Sequence, residues 1–451
     1  MRLRHSYSTL RANERERRQF PPGSGGGLPA REQASGVTTD RRQRLLIGVG
    51  AATRFASGIL MGTALAVYVG RQGSAFAVSM VLTAYFLGMM VFSPVWGALA
   101  DVTGRRRAVM VVSGALATLA VLPLTVTEGV WGPIGTRGLY AVFASGFAPV
   151  MLTIVSVHGG ETGRGKSVGF FNSTRAVGFA GGQLTVGALL GLLAPQELYL
   201  VIAGVSLVST LAVAFVADPT PNPDREPSLS EIRTEVKERL FPAAGERDHL
   251  TTNGLGWLYV ALALRNMTVL GVMSLMAPYL VEHVGVSEFV MGALLAINPA
   301  GQAVFMVLFG RLADSVGRKP LVTVGMAGSG LYAVVAGLAT APDALLARMA
   351  IAGIGFVIIA AAFSAMTTGA IAFIGDVAPA ERESELMGLR STAKGVGGVL
   401  GPPIFGAVAT VASYETAFLG GSVLAFAAAG LVGIRLVESN SGPSRATAAD
   451  D

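Results

Sequence analysis

Long apolar blocks separated by short polar breaks dominate the chain. Six fall at Leu45 to Tyr68, Ala75 to Ala100, Ala108 to Val126, Leu139 to Val157, Ser167 to Leu193 and Leu198 to Val216. After a polar stretch six more follow, at Leu255 to Val281, Phe289 to Phe309, Leu321 to Leu338, Ala344 to Ile374, Glu385 to Val411 and Thr416 to Ile434. A hydrocarbon core of about 30 Å demands about 20 such residues per crossing. In lipid they must be helical, because no water is there to bond the backbone. The pattern predicts an all-α membrane protein of 12 transmembrane helices in two six-helix halves, residues 45–217 and 255–436. Residues 1–44 carry no apolar core of a signal peptide. They read as a disordered cytoplasmic tail or as translation from a start upstream of the real one, and residues 437–451 as a second cytoplasmic tail. Between the halves, residues 218–254 hold a Pro-rich linker and then Ser228 to Leu240, where Leu229, Ile232, Val236 and Leu240 share one helical face behind a Ser228/Glu231 capping box. That segment is expected to lie on the cytoplasmic surface of the bundle.

Composition sharpens this picture. Hydrophobic residues make up 52% of the chain and charged residues only 14%, which excludes an ordinary soluble enzyme. The net charge of +6 would suggest nucleic acid in a soluble protein, but the cations concentrate in alternate loops. Arg105, Arg106, Arg107, Arg164, Lys166, Arg225, Arg233, Lys237, Arg239, Arg247, Arg318, Lys319 and Arg382 fall on one side, whereas the other holds little beyond Arg71. By the positive-inside rule both termini are cytoplasmic and no nucleic-acid partner is implied. With no cysteine there is neither a disulfide framework nor a thiolate metal site.

The two halves repeat one another. Gly97-Ala-Leu-Ala-Asp101-Val-Thr-Gly104-Arg105-Arg106 returns as Gly310-Arg-Leu-Ala-Asp314-Ser-Val-Gly317-Arg318-Lys319, the carboxylates 213 residues apart. Gly169, Arg175, Gly178, Gly182 and Gly187 return 219 residues later as Gly388, Lys394, Gly397, Gly401 and Gly406. Arg54 and Arg265 sit 211 apart inside the first and seventh spans, as do Arg137 and Arg348 at the starts of the fourth and tenth. Such matches at fixed separation mark a duplicated transporter.

The hinge G-x-x-x-D-x-x-G-R-[RK], once per half, resembles the signature of the major facilitator superfamily of secondary transporters, and the resemblance covers nearly the whole chain. Gly388, Gly397, Gly401, Pro402 and Gly406 are similar to the glycine-proline motif of its drug-antiporter-like branch, although here the proline lies in the eleventh span and the fifth has Gln183. The resemblance implies that Gly97, Asp101, Gly104, Arg105, Arg106, Gly310, Asp314, Gly317, Arg318 and Lys319 form a cytoplasmic gate. Each Asp sits near the end of a helix whose dipole disfavours it, so it would be compensated by a helix of the other half and by the loop arginines. Val102 and Ser315 stand where a basic residue often follows the Asp, which removes one arm of that network.

Four cations stand out by depth. Arg54, Arg175, Arg265 and Lys394 lie nine or ten residues into spans that start inside, on the order of 14 Å deep at about 1.5 Å per residue. Ionised groups there face a watery cavity or a partner. Span interiors hold no Asp or Glu; Glu128, Glu197, Glu282, Glu288, Asp343 and Glu415 fall near outer ends. Either an anion or helix carbonyls must therefore compensate them. The family resemblance implies that the helices carrying them line a central cavity, with Asn172, Gln183, Tyr85 and Asn298 as polar neighbours. Gly160 to Ser167 fits the phosphate-loop pattern G-x-x-x-x-G-K-S, but spans flank it where a strand and a soluble helix would be needed, so it reads as a basic turn. No nucleophile-base pair or metal-ligand cluster is evident, and no enzyme activity, cofactor or metal is expected. The expectation is a monomer in the cell membrane that carries a small organic solute, anionic by the cation count, by alternating access. The alternative is proton-coupled multidrug efflux.

Overall fold

A computed structural model describes residues 30–219, 228–240, 250–379 and 382–439, without the side chains of 30–40, 160–162, 314, 383 and 384. Regular structure among the described residues is entirely helical. The first six-helix set is α1 Ala30–Gln72, α2 Ala75–Thr103, α3 Arg106–Leu119, α4 Trp131–His158, α5 Gly160–Leu190 and α6 Pro195–Ala214. A short α7, Leu229–Leu240, follows. The second set is α8 Leu255–Pro278, α9 Glu288–Val316, α10 Arg318–Gly337, α11 Leu345–Val377, α12 Glu383–Val411 and α13 Tyr414–Arg435. Among the described residues 11 helices are long and apolar enough to cross a membrane. The remaining long one, α5, has 31 residues and falls short in apolarity because it carries Arg164, Lys166, Asn172, Arg175, Gln183 and several glycines.

Three of the boundaries differ from the sequence reading for identifiable reasons. The helix α1 already begins at Ala30, so part of the stretch expected to be a tail is helical, while residues 1–29 and 440–451 lie outside the described residues. The helix α4 begins at Trp131 rather than near Leu139 and bends at Ser145-Gly146 between two straight segments, which moves Arg137 from a span end into the helix. The phosphate-loop look-alike is helical too, since α5 starts at Gly160 and only Gly159 separates it from α4. Three helices that start on the side opposite the Asp101 hinge are capped alike: Ser74, Ser287 and Ser413 accept bonds from the amides of Ala77, Val290 and Thr416. At the hinge ends Gly104 and Gly317 stop α2 and α9 with φ of 65° and 97°, a conformation that favours glycine.

The repeated glycines let helices touch. A methyl group on Gly178 would strike the carbonyl oxygen of Ala52 in α1, and one on Gly401 would strike that of Met267 in α8. Both contacts lie within a half, and Gly182 and Gly397, their counterparts 219 residues away, also lie against α1 and α8. The next matched pair joins the halves: a methyl on Gly187 would lie 2.8 Å from the Cα of Gly292 in α9, and one on Gly406 would strike the Ser79 hydroxyl in α2. Accordingly α5 packs on α9 and α12 on α2.

These contacts sit away from the hinges. On that far side Arg71 pairs with Glu288 at 2.7 Å, and the Phe76 amide donates to the Thr410 hydroxyl at 2.9 Å. One apolar cluster there runs through both halves, from Leu60, Val186 and Leu190 to Met291, Leu295 and Phe405. On the hinge side the apolar clusters separate. One holds Ile47, Ala100, Phe147 and Val213 of the first half, another Leu258, Phe373, Leu386 and Val432 of the second. The halves therefore share one buried apolar cluster on the far side and hold separate ones on the hinge side.

The far-side seam is open to test. Gly292→Leu should wedge α5 from α9 at a cost of about 1–3 kcal/mol. A Ser79→Cys thiol, fully buried as Ser79 is, is expected to resist a polar maleimide in the parent and to react in the Gly292→Leu background. Equal protection in both would contradict the seam as described.

Candidate substrate cavity and hinges

Of the four deep cations, two are tied inside their own halves. Arg54, 4% exposed, donates from Nη1 to Ser206 Oγ at 3.0 Å and lies 5.3 Å from the Tyr140 ring centre. Ser206 in turn bonds Thr118, and Tyr140 bonds Ser57. Arg265, 1% exposed, donates from Nε to Ser329 at 2.8 Å and from Nη1 to Asn266 Oδ1 at 3.2 Å, with Phe363 beneath it. Both are thus bonded inside their own halves, with Nη2 of each buried and unbonded. Hydroxyls, an amide and aromatic faces take the place of the missing carboxylates.

Arg175 and Lys394 behave differently. Neither forms a hydrogen bond or ion pair with any described residue. Arg175 is half-buried, its guanidinium 6.0 Å from the Phe55 ring centre, and Lys394 is exposed although it lies mid-helix. Arg390, one turn before Lys394 on the same face of α12, is also half-buried and unbonded among the described residues. Lys394 is within electrostatic reach of Arg175, Arg390 and Arg265. Arg390 and Arg175 are within electrostatic reach of each other as well, so three cations unbonded among the described residues, one from the first half and two from the second, lie in one neighbourhood. Beside Arg175 the half-buried Phe55 packs edge-on against half-buried Phe179 and against Phe147 and Phe171 of the buried cluster.

The polar neighbours divide similarly. Gln183 accepts from Thr63 at 3.0 Å, tying α5 to α1, and Asn298 accepts from Gln302 within α9. Asn172 is exposed. Tyr85 covers the Arg137 guanidinium at 4.4 Å. Arg137 itself is 4% exposed, with Nε and Nη1 buried and unbonded. Its supposed counterpart Arg348 instead bonds the carbonyl oxygen of Pro342 at the far side, so the repeat conserves position here and not role. Sequence reasoning missed Arg390, which its four-residue spacing from Lys394 could have flagged, and the burial of Arg137, hidden by the misplaced start of α4.

At the first hinge the expected charge network exists with a different partner. Asp101 accepts from Arg106 at 2.8 Å and from Arg239 at 3.0 Å. Arg239 belongs to α7, is bonded also to Glu235 at 2.8 Å, and fills the space opened by Gly97. Burial would lower the Arg239 pKa, but the two carboxylates outweigh it and hold it above its usual value. The linker helix therefore compensates Asp101, where a helix of the other half was expected. At the second hinge the Asp314 side chain lies outside the described residues. Arg318 donates to Asp376 at 3.0 Å and to the Ala313 carbonyl at 2.6 Å. Glu438 accepts from the Arg318 and Lys319 amides, capping α10 much as Asp218 accepts from the Arg107 amide at α3. Both caps follow the last helix of their own half.

The Major Facilitator Superfamily model matches residues 46–273 and 256–451. The chain belongs to that family. Among curated relatives it is 24% identical to the multi-drug resistance efflux pump PmrA of Streptococcus pneumoniae, over 78% of this chain and 84% of the pump. It is also 24% identical to a putative metabolite transport protein of Haemophilus influenzae, over 77% of this chain and 82% of that protein. Among solved structures the nucleoside transporter NupG superposes with a TM-score of 0.69 at 13% identity, covering 86% of this chain and 99% of NupG. As a superfamily member the chain is a multi-pass secondary transporter.

Two outcomes follow for purified protein. Arg265→Gln is expected to lower Tm, since hydrogen bonds from a charged group contribute about 1.5–3 kcal/mol, whereas Lys394→Gln leaves Tm unchanged or raised. Equal losses in the two variants would contradict the distinction between tie and free cation. Asp101→Asn should release α7, read as faster amide exchange across residues 229–240; unaltered exchange there would mean that Arg239 does not anchor the helix.

Proposed function

We propose that this protein moves small organic anions across the cell membrane by alternating access, as a monomer, with the hinge side and both termini in the cytoplasm. The observation that carries this reading is the set of unpaired cations Arg175, Arg390 and Lys394 on facing helices of a gap open at one end. A bound carboxylate or phosphate would accept charge-assisted bonds, about 1.5–3 kcal/mol each, and arginine can hold it through two parallel bonds. Phe55 and its ring neighbours offer an apolar surface for the rest of the solute. The orientation is supported by Arg105, Arg107, Arg164, Lys166, Arg318 and Lys319, all on the hinge side, so this conformation is the inward-facing one. On the same reading Gly97, Asp101, Gly104, Arg105 and Arg106, with Gly310, Asp314, Gly317, Arg318 and Lys319, belong to the gate that must close there.

Proton-coupled multidrug efflux is the second reading, favoured by the similarity to PmrA, a multi-drug resistance efflux pump, and by the half-buried rings of Phe55 and Phe179 beside Arg175. Against it, the span interiors contain no Asp or Glu to carry the proton. Transport is therefore expected to respond weakly to an imposed pH gradient, and strong stimulation by such a gradient in proteoliposomes would favour efflux instead.

A melting screen of purified protein against organic anions, cations and neutral solutes tests the substrate class. Anions should raise Tm, and Arg175→Gln or Lys394→Gln should weaken their binding at least about tenfold, equivalent to about 1.4 kcal/mol. Stabilisation by cations alone, or unchanged anion affinity in both variants, would overturn the reading.

A further inference from the structure

Where α2 meets α12 the two helices run antiparallel, and their contacts follow one stripe of α2. Ser79 faces Gly406, Phe86 covers Gly398, and the Met90 sulfur lies 3.1 Å from where a methyl group on Gly395 would sit. Along α2 the steps from Ser79 to Phe86, Met90, Gly97 and Asp101 alternate seven and four residues, which keeps all five on one face of a helix with about 3.6 residues per turn. The stripe thus continues past Met90 toward the hinge, but α12 does not follow it. A methyl group on Gly388, seven residues before Gly395, would meet no atom of another element within 4 Å. Gly97, seven residues after Met90, faces Arg239 of α7 instead, whose Nη1 lies 3.0 Å from where a methyl group would sit. Asp101, at the end of the stripe, is bonded to the same Arg239.

Two occupants therefore fit one surface. Continued in the same register, α12 would bring Gly388 onto Gly97, where neither has a side chain, and would bring its first turn onto Asp101, where the helix dipole favours a carboxylate. Arg239 now holds both places and cannot stay between the two glycines while they meet. We propose that α7 is an internal brake: it keeps the hinge side open by occupying the surface of α2 on which α12 must close. The proposal rests on the alternating-access reading above and is independent of the substrate. The helix is placed to detach. Its packing partner is α2, none of its residues is buried, and the Arg239–Asp101 pair is exposed enough for water to compete with it. The bonds Arg239–Glu235 and Ser228–Glu231 lie within the helix and its cap and survive undocking.

The test is the hinge-side distance between spin labels on Arg107→Cys and Arg311→Cys, exposed positions in different halves of a chain without native cysteine, measured by double electron–electron resonance on the full chain in lipid nanodiscs. Two backgrounds remove the brake: Arg239→Gln, and replacement of residues 229–240 by a Gly-Ser segment of equal length. The population at the shorter, closed distance should rise about fivefold relative to the open one in Arg239→Gln, the size expected for losing one exposed ion pair, and at least as much in the Gly-Ser variant. Asp101→Asn should raise it less, because it frees α7 but also removes the carboxylate that awaits α12. A closed population present in the parent and unchanged in both brake-free variants, or an equal rise in Arg239→Gln and Asp101→Asn, would overturn the brake while leaving alternating access intact. A shorter distance absent from the parent and every variant, with and without benzoate, would reject hinge-side closure and the proposal with it.

Discussion

A guanidinium or ammonium group in the hydrocarbon region must find either a polar partner or water, and the arrangement of the helices follows from how each such group is satisfied. Arg54 and Arg265 reach hydroxyls on neighbouring helices and lie near aromatic rings, so these two braces use hydroxyls and ring faces in place of carboxylates. Arg137 is sandwiched between Tyr85 and Tyr140. Arg175, Arg390 and Lys394 have no bonded partner among the described residues, and on the proposed reading they take the second solution, in a gap between the halves on the hinge side. The polar cavity and the parted halves are thus one fact seen twice.

Movement of the halves needs rigid bodies with a yielding seam. The glycines provide both, since Gly178 and Gly401 bring helices together within a half while Gly187 and Gly406 bring them together across halves. The seam is otherwise held by an apolar cluster and by Arg71–Glu288, a partly exposed pair of a kind that contributes about 0–1 kcal/mol. A seam dominated by close-packed small residues, with little polar adhesive, can part and re-form without leaving many buried polar groups unsatisfied. The hinge-side ends are held separately, the first by the linker helix through Asp101–Arg239 and the second by Asp376 and Glu438.

Most of the architecture was legible in the sequence because it depends on run length and repetition. Apolar blocks give helices, and the hinge recurring from Asp101 to Asp314 gives two halves. What escaped was the direction in which a side chain points around its helix. Depth alone placed Arg54 and Arg175 together, yet Arg54 turns toward α6 and α4 while Arg175 faces the gap, and a difference of rotation about a helix axis leaves no trace in a block of apolar residues. Arg390 was overlooked because only the cations nine or ten residues into a span were singled out, and it lies five residues into the eleventh, nearer the hinge end of α12. The partner of Asp101 was misassigned for a related reason: Arg239 is remote in sequence and sits on a surface helix whose docking no repeat encodes.

The central claim is that Arg175, Arg390 and Lys394 together form an anion site. Anomalous diffraction from crystals soaked in an iodinated benzoate would address it most directly, because the iodine marks the bound molecule independently of any modelling choice. The account predicts a peak in the gap between α5 and α12, with the carboxylate in hydrogen-bond contact with at least one of the three cations and the ring toward Phe55. A peak confined to the lipid-facing surface, or carboxylate density bonded elsewhere with these three side chains untouched, would contradict it.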